Sequence, residues 1–278
     1  VRFLSIFMFD AQTGVLVREI KQAQQPFPEK YTIPVPEEWF GQTYDIVVWA
    51  GLESNSYHFS TLNAGSSTFD DFELKLKDYQ NQMVKRDTGL EPLWHGILTN
   101  VTFSETEEQT HTVSLMKDTK TFRVVVQRFE NGEIAPFDDL DIRLLSANGW
   151  YDNNNAVLDP PERAITYIPY YTENNPETGV TAEMNSLRLL NETSRINALL
   201  ISDPRTGEKM LDFPLIEYLD ALRLLQYANI PFQEYLDRED EYHILIMLKE
   251  SPGGGDDENW IASQVTINGW VVRKTEVD

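Results

Sequence analysis

The four histidines, His58, His95, His111 and His243, are the only imidazoles in the chain. No two stand at the His-x-His or HExxH separations that bring two ring nitrogens onto one metal ion. A histidine site would need them to meet through the fold, and each reads as a structural or surface residue. Cysteine is absent, which removes disulfides, thiol catalysis and cysteine-ligated zinc or iron–sulfur sites from the residues given. No GxSxG, Walker or GxGxxG pattern occurs. Gly253, Gly254 and Gly255 lack the lysine of a phosphate cradle and read as a hairpin connection. The adjacent acidic pairs Glu107-Glu108, Asp138-Asp139 and Asp256-Asp257 fall in loops, whereas a glycosidase needs two carboxylates facing each other across a cleft. Asp152-Asn153-Asn154-Asn155, followed by Asp159, is rich in oxygen ligands but lacks the glycine and closing glutamate of an EF-hand, so a weak calcium loop stands beside a plain Asx-rich turn. Asn100-Val-Thr102 and Asn191-Glu-Thr193 match the glycosylation sequon. The expectation is a chain with no catalytic residue, cofactor or metal.

The elements that carry these residues are strands. Aromatic and aliphatic side chains are plentiful, with 41% hydrophobic and 12% aromatic residues over 278 positions, enough for packed cores and one or two domains. Against 23 Lys and Arg stand 45 Asp and Glu, a formal net charge of -22, which repels phosphate backbones and makes nucleic acid a poor partner. No apolar run approaches a membrane span. The chain opens at Val1 without a methionine, as a fragment or processed product would.

Period-2 patterning is densest from Leu93 to Phe129. Ile97, Thr99, Val101 and Phe103 form one half-buried strand, His111, Val113 and Leu115 a second, and Phe122, Val124 and Val126 a third, with Arg123 and Gln127 on its far face. The polar step Lys117-Asp118-Thr119-Lys120 separates the last two, and strands accumulate on either side of it. This predicts one β-domain over residues 1–118 and another over 119–278.

In the first domain, Arg2 to Phe9 is apolar on both faces and predicts a central strand. Asp10 to Gly14 is a turn and Val15 to Ile20 the returning partner. Tyr31, Ile33 and Val35 alternate with Pro34 and Pro36, which predicts an edge or half-paired strand. Tyr44 to Ala50 is a second central strand, Asp70 to Lys77 fits either a strand or a first helical turn, and Tyr79 to Glu91 reads as loop.

In the second domain, Asn131-Gly132, Asn148-Gly149 and Asn268-Gly269 each predict a type I′ hairpin turn, because both central positions take positive φ. Strands are expected at Phe122 to Phe129, Asp141 to Leu145, Ala164 to Tyr171, Leu187 to Leu190, Ile196 to Ile201, Tyr242 to Leu248, Trp260 to Ile267 and Trp270 to Arg273, with a turn over Asp203 to Gly207. A helical insertion near 214–240 comprises a helix over Pro214 to Tyr227, with Leu215, Leu219, Leu222 and Leu225 on one stripe, and a shorter one over Gln233 to Asp240. Trp94, Trp150, Trp260 and Trp270 read as core or strand-end residues. An exposed row of them would instead suggest sugar binding.

The order of these signatures resembles the fimbrillin-type, FimB-like anchor and assembly lipoproteins of Bacteroidales. The resemblance is carried by Phe9-Asp10 with Gly14, Tyr44-Asp-Ile-Val-Val-Trp-Ala-Gly51, Leu93-Trp-His-Gly96, the junction from Val113-Ser-Leu115 to Val124-Val-Val126, Asn148-Gly-Trp150, Asn185-Ser-Leu-Arg-Leu-Leu190 and Ile267-Asn-Gly-Trp270. It implies an all-β fold with one or two short helices, built as two tandem transthyretin-like Greek-key β-sandwich domains. It implies a structural subunit at the base of a fimbria, with other pilin subunits as partners and a cell-surface location. It further implies attachment to the outer membrane through a lipidated cysteine upstream of Val1. Such subunits assemble by β-strand addition or exchange, for which the terminal candidates are Phe3, Phe7 and Phe9 at one end and Trp270, Val271 and Val272 at the other. Both segments also fit ordinary intramolecular strands. The alternative is a secreted or surface carbohydrate-binding β-sandwich protein.

Overall fold

The structure, a computed structural model, describes residues 2–23, 26–84, 87–106, 108–130, 133–135, 139–250 and 260–274. The expected turn at Asn131-Gly132, the glycine run Gly253 to Gly255, the pair Asp256-Asp257, Glu107 and Asp138 lie outside the described residues. The first strands are β1 (Phe3–Asp10), β2 (Leu16–Ala23), β3 (Thr43–Ala50), β4 (Tyr57–Phe59), β5 (Glu73–Leu76), β6 (Met83–Val84), β7 (Trp94–Thr102) and β8 (Met116–Lys117). They continue as β9 (Lys120–Glu130), β10 (Glu133–Ala135), β11 (Asp141–Ser146), β12 (Trp150–Asp152), β13 (Ile165–Tyr167), β14 (Tyr171–Asn175), β15 (Gly179–Ser186), β16 (Asn197–Ser202) and β17 (Lys209–Pro214). Helices α1 (Leu215–Gln226) and α2 (Phe232–Arg238) follow, and β18 (Glu241–Glu250), β19 (Trp260–Ile267) and β20 (Trp270–Lys274) close the order. The fold is all-β with two short helices.

The chain divides into two compact units. The first takes residues 1–77, 91–118 and 149–158, and the second 78–90, 119–148 and 159–278. The continuous stretches 1–118 and 119–278 expected from sequence therefore need correcting at two places. Residues 78–90 belong with the second unit and 149–158 with the first. Each excursion is short and held by strand pairing and one large aromatic, a signal too local to stand out from its neighbours in the sequence.

In the first unit, a five-stranded sheet in the order β2-β1-β3-β7-β8 faces a three-stranded sheet β12-β5-β4. The sandwich core is aromatic. The Phe7 and Trp49 rings meet Phe72 at 5.7 and 5.6 Å, and Phe9 meets Phe69 at 5.1 Å. The outer face of the larger sheet is apolar too, and there Ile6, Met8, Tyr44, Ile46 and Val48 pack with Trp39, Val101 and Phe103, covered by Ile33, Val35, Phe40 and Val113. That second layer is why β1 and β3 read as apolar on both faces.

It also corrects two expectations, because 31–36 and 109–115 form no strand. Pro34 and Pro36 have no N–H to donate, so Ile33 and Val35 serve as a lid of side chains rather than as a ladder. Val113 behaves likewise, and only Met116–Lys117 pair with β7. The undecided stretch at 70–77 is both structures in turn, a 3-10 segment at Phe69–Asp71 closed by a Thr68–Asp71 capping box and then β5.

In the second unit, a seven-stranded sheet runs β14-β15-β9-β18-β19-β20, with β10 also on β9, and a five-stranded sheet runs β17-β16-β11-β13-β6. Between them lie Phe122, Val124 and Val126 of β9, Ala182 and Met184 of β15, Tyr242, Ile244 and Ile246 of β18, and Leu144, Tyr167, Leu199 and Phe213 from the smaller sheet, all buried. The expected strand at 187–190 is displaced. Those leucines are buried but unpaired in any ladder, and the strand is β15, just before them.

Gly179 opens β15 at φ +94, and a Cβ there would sit 2.3 Å from the Val126 carbonyl oxygen, so only glycine lets β15 pair tightly with β9. Helix α1 buries Leu215, Ile216, Leu219 and Leu222. Leu225, expected on the same stripe, is 56% exposed, because the final turn of the helix runs past the surface it covers. Helix α2 is tied down by Asp237, which accepts two hydrogen bonds from Arg188 at 2.6 and 2.7 Å, and by the buried Lys120 ammonium, which donates to the Asp237 carbonyl and to Asp240.

Candidate assembly surfaces

His95 is buried, its ring 4.5 Å from that of Trp49 and its Nε2 3.1 Å from the Asn153 carbonyl oxygen. His58, His111 and His243 are exposed on separate elements. In the Asx-rich loop, Asp152 Oδ1 accepts the N–H groups of Asn154 and Ala156. Asn153 Oδ1 accepts from Trp49 Nε1 at 3.3 Å, and Asn155 Nδ2 donates to Asp118 at 2.7 Å. Asp159 belongs to the other unit. Asp152 and Asn153 thus give their Oδ1 atoms to protein N–H donors, and the Asp152 contacts are those of an Asx turn. Among the described residues no three His, Asp or Glu side chains are placed to share a metal ion.

Asn148-Gly149 is not the expected hairpin turn, since neither residue has positive φ and β11 and β12 lie in different sheets. Asn148 is wholly buried instead. Its Nδ2 donates to the carbonyls of Leu187 and Arg188, each at 3.0 Å, and its Oδ1 accepts from the Tyr167 hydroxyl at 2.7 Å. Burial pushes the Tyr167 hydroxyl well above the ordinary phenol range, so it stays a donor. Nothing in the local sequence distinguishes this asparagine from a turn former; only the pairing of 187–188 with it reveals the role.

The two terminal segments sit very differently. β1 is hydrogen-bonded along both sides, to β2 and to β3. Phe7 and Phe9 are 1% and 0% exposed in the core, and only Phe3, at the strand's start, reaches solvent. β20 is the last strand of its sheet. The turn that delivers it has Asn268 at φ 49 and Gly269 at φ 83, the type I′ geometry expected from the sequence. Asn268 ties that turn to β18, accepting from the His243 N–H at 2.8 Å and donating to the Glu241 carbonyl at 3.0 Å. Trp270 and Val271 are each 49% exposed, Val272 is half-buried, and Arg273 donates to the Tyr218 hydroxyl of α1 at 2.7 Å.

Open sheet edges invite foreign strands, and proteins blunt them with charge, proline or brevity. β2 carries Arg18, Glu19 and Lys21, β17 carries Lys209, Asp212 and Pro214, and β4, β6, β8 and β12 have two or three residues each. β14 is polar from Thr172 to Asn175. Among the described edge strands only β20 begins with three consecutive apolar residues, ahead of Arg273 and Lys274.

These features define an all-β protein with an edge strand, β20, that opens on apolar residues. The pattern of the fimbrillin-A associated anchor proteins Mfa1 and Mfa2 matches residues 1–276, and the chain belongs to that family. The minor fimbrium anchoring subunit Mfa2 of Porphyromonas gingivalis is 22% identical over 99% of this chain and 79% of its own length. The solved structure of the fimbrial anchor protein Mfa2 from that organism superposes with a TM-score of 0.73 at 20% identity, covering 99% of this chain and 91% of the other. A Bacteroides thetaiotaomicron protein proposed to bind polysaccharides superposes with a TM-score of 0.80 at 29% identity, over 99% of this chain and 90% of its own. Among the described residues no helix is long and apolar enough to cross a membrane.

Proposed function

We propose that this chain is a structural, non-enzymatic subunit that anchors the base of a fimbria at the cell surface. The match to the anchor family over residues 1–276 carries the reading. Attachment is to the outer membrane through a lipid upstream of Val1, and the partners are other fimbrial subunits. The join to the neighbouring subunit is made by adding or exchanging a β-strand at a chain end. Of the two candidate ends, the edge strand β20, which opens with Trp270, Val271 and Val272, supports the C-terminal one. Phe3, Phe7 and Phe9 belong to a strand that is paired on both sides, and releasing it would strip the aromatic core of the first unit.

Replacing Val271 by lysine adds an edge-protecting charge where the side chain is already half in water, so folding is spared while a foreign strand is repelled. In the producing bacterium the Val271→Lys variant should release fimbriae into the medium, with the purified protein melting as the parent does. Fimbriae that stay cell-attached in this strain would rule out the β20 edge. Fimbriae that stay attached after deletion of the whole gene would rule out the anchoring role itself.

A further inference from the structure

The chain passes between its two units at 77/78, 90/91, 118/119, 148/149 and 158/159, where domains strung end to end would need a single passage. Both short excursions are built into the sheets of their hosts. Residues 149–158 supply β12, paired with β5, and the Leu76 N–H donates to the Gly149 carbonyl at 3.0 Å. Tyr151 of this excursion is fully buried, and Asn153 and Asn155 bond to Trp49, His95 and Asp118. Residues 78–90 supply β6, paired in parallel with β13. Thr166 and Ile168 donate to the carbonyls of Gln82 and Val84 at 2.8 and 3.0 Å, and the Leu90 N–H donates to Asn185 Oδ1 at 3.0 Å. The Tyr79 ring lies under the Arg163 guanidinium at 4.3 Å, and Tyr79, Val84 and Leu90 are buried.

We propose that the two excursions interlock the units into one cooperative folding block, so that neither unit unfolds while the other persists. The coupling comes from loop closure. While the second unit is folded, 119–148 is structured and both ends of 149–158 are held, so β12 docks as a short tethered piece. Once the second unit unfolds, the same docking must close the flexible loop 119–148, and the entropy of that closure falls on the first unit. The reverse holds for 78–90, whose docking would have to close 91–118 if the first unit were unfolded. Each unit therefore holds ready a strand that the other would otherwise have to capture from a disordered chain, an effective-concentration effect that acts in both directions.

The intact chain tests this. Trp39, Trp49, Trp94 and Trp150, four of the six tryptophans, lie in the first unit, so tryptophan fluorescence follows that unit, and hydrogen exchange in β18 follows the second. The guanidinium transitions from the two probes should coincide, and calorimetry should give a single endotherm with van't Hoff and calorimetric enthalpies in a ratio of about 1. Leu199→Ala, a core truncation outside either excursion, should shift both probes together. Tyr79→Ala and Tyr151→Ala, which loosen the excursions, should separate the two transitions. Separate transitions in the parent protein would overturn the proposal, as would coincidence that survives in both tyrosine variants. If either alanine variant fails to fold, the leucine replacement at the same position makes the same comparison.

Discussion

Replacing Asn148 by alanine strips a wholly buried side chain of three hydrogen bonds at 2.7, 3.0 and 3.0 Å. The Tyr167 hydroxyl, itself buried and held protonated, loses its acceptor, and the Leu187 and Arg188 carbonyls each lose a donor. A buried polar group left without its partner costs about 1–3 kcal/mol. Carbonyls have a second lone pair and stand at the low end, so the total is about 3–5 kcal/mol. A hairpin-turn asparagine at the surface, which the Asn-Gly pair suggests, would cost only about 1 kcal/mol. Equilibrium guanidinium unfolding separates these. With an m value of about 5 kcal/mol/M for a chain of this size, the midpoint should fall by roughly 0.6–1 M at unchanged slope. The Tyr167→Phe variant supplies an internal check. Its cost in the parent background should largely vanish in the Asn148→Ala background, a coupling of about 1 kcal/mol or more. A midpoint shift under about 0.2 M, or additive costs in the double variant, would refute the account of Asn148 as a buried tie.

Two further changes test the packing and the electrostatics. Gly179→Ala places a methyl 2.3 Å from the Val126 carbonyl oxygen at a backbone φ of +94, and should cost about 3 kcal/mol or more, with the loss of exchange protection centred on β9 and β15. Glu239 titrates above the ordinary carboxylate range, first through burial and then through the neighbouring charges of Asp240 and Glu241, against the opposing pull of Lys120. A carboxyl group whose folded pKa is raised favours folding below its unfolded pKa, and that contribution is lost as pH rises through the folded value. The Glu239→Gln variant, a mimic of the protonated form, should therefore melt higher than the parent at pH 7 and together with it near pH 4. Equal differences at both pH values would show that the carboxyl is not strained by its surroundings.

Much of the fold was readable because local signals and tertiary demands agree. The β1–β2 turn, where Asp10 Oδ1 accepts from the N–H groups of Gln12 and Thr13, and the Asn268-Gly269 hairpin are specified by residues within a few positions of each other. So are the apolar runs of β3 and β18 and the core stripe of α1. The misreadings share one cause, apolar or turn-forming residues recruited by distant parts of the chain. Ile33, Val35 and Val113 look like half-strands because they cover a sheet face. Leu187, Leu189 and Leu190 are buried without a ladder, while β15, with Gly179, Thr181 and Asn185 in its span, looks too polar for a strand paired on both sides. At the candidate site, the residues of β20 were legible but its position at the end of a sheet was not, since strand order is a property of pairing. The same holds for β1, whose two apolar faces announced a central strand without naming the neighbours that hold it.

The parallel pairing of β9 with β18 has a consequence in time. Thr121 stands beside Glu241, and the match runs in register to Arg128 beside Leu248, so these neighbours lie about 120 residues apart along the chain, a separation that slows closure of the contact. A chain that emerges amino end first presents Phe122, Val124 and Val126 long before their central partner exists. β15 can cover one side of β9 in the meantime, but the other side waits for β18, which arrives with the locally formed β19–β20 hairpin just behind it. The seven-stranded sheet is thus zipped shut at its middle by a strand that follows β9 by about 120 residues. Until then β9 is half unpaired, which makes the interval before β18 the period of greatest exposure to misassembly.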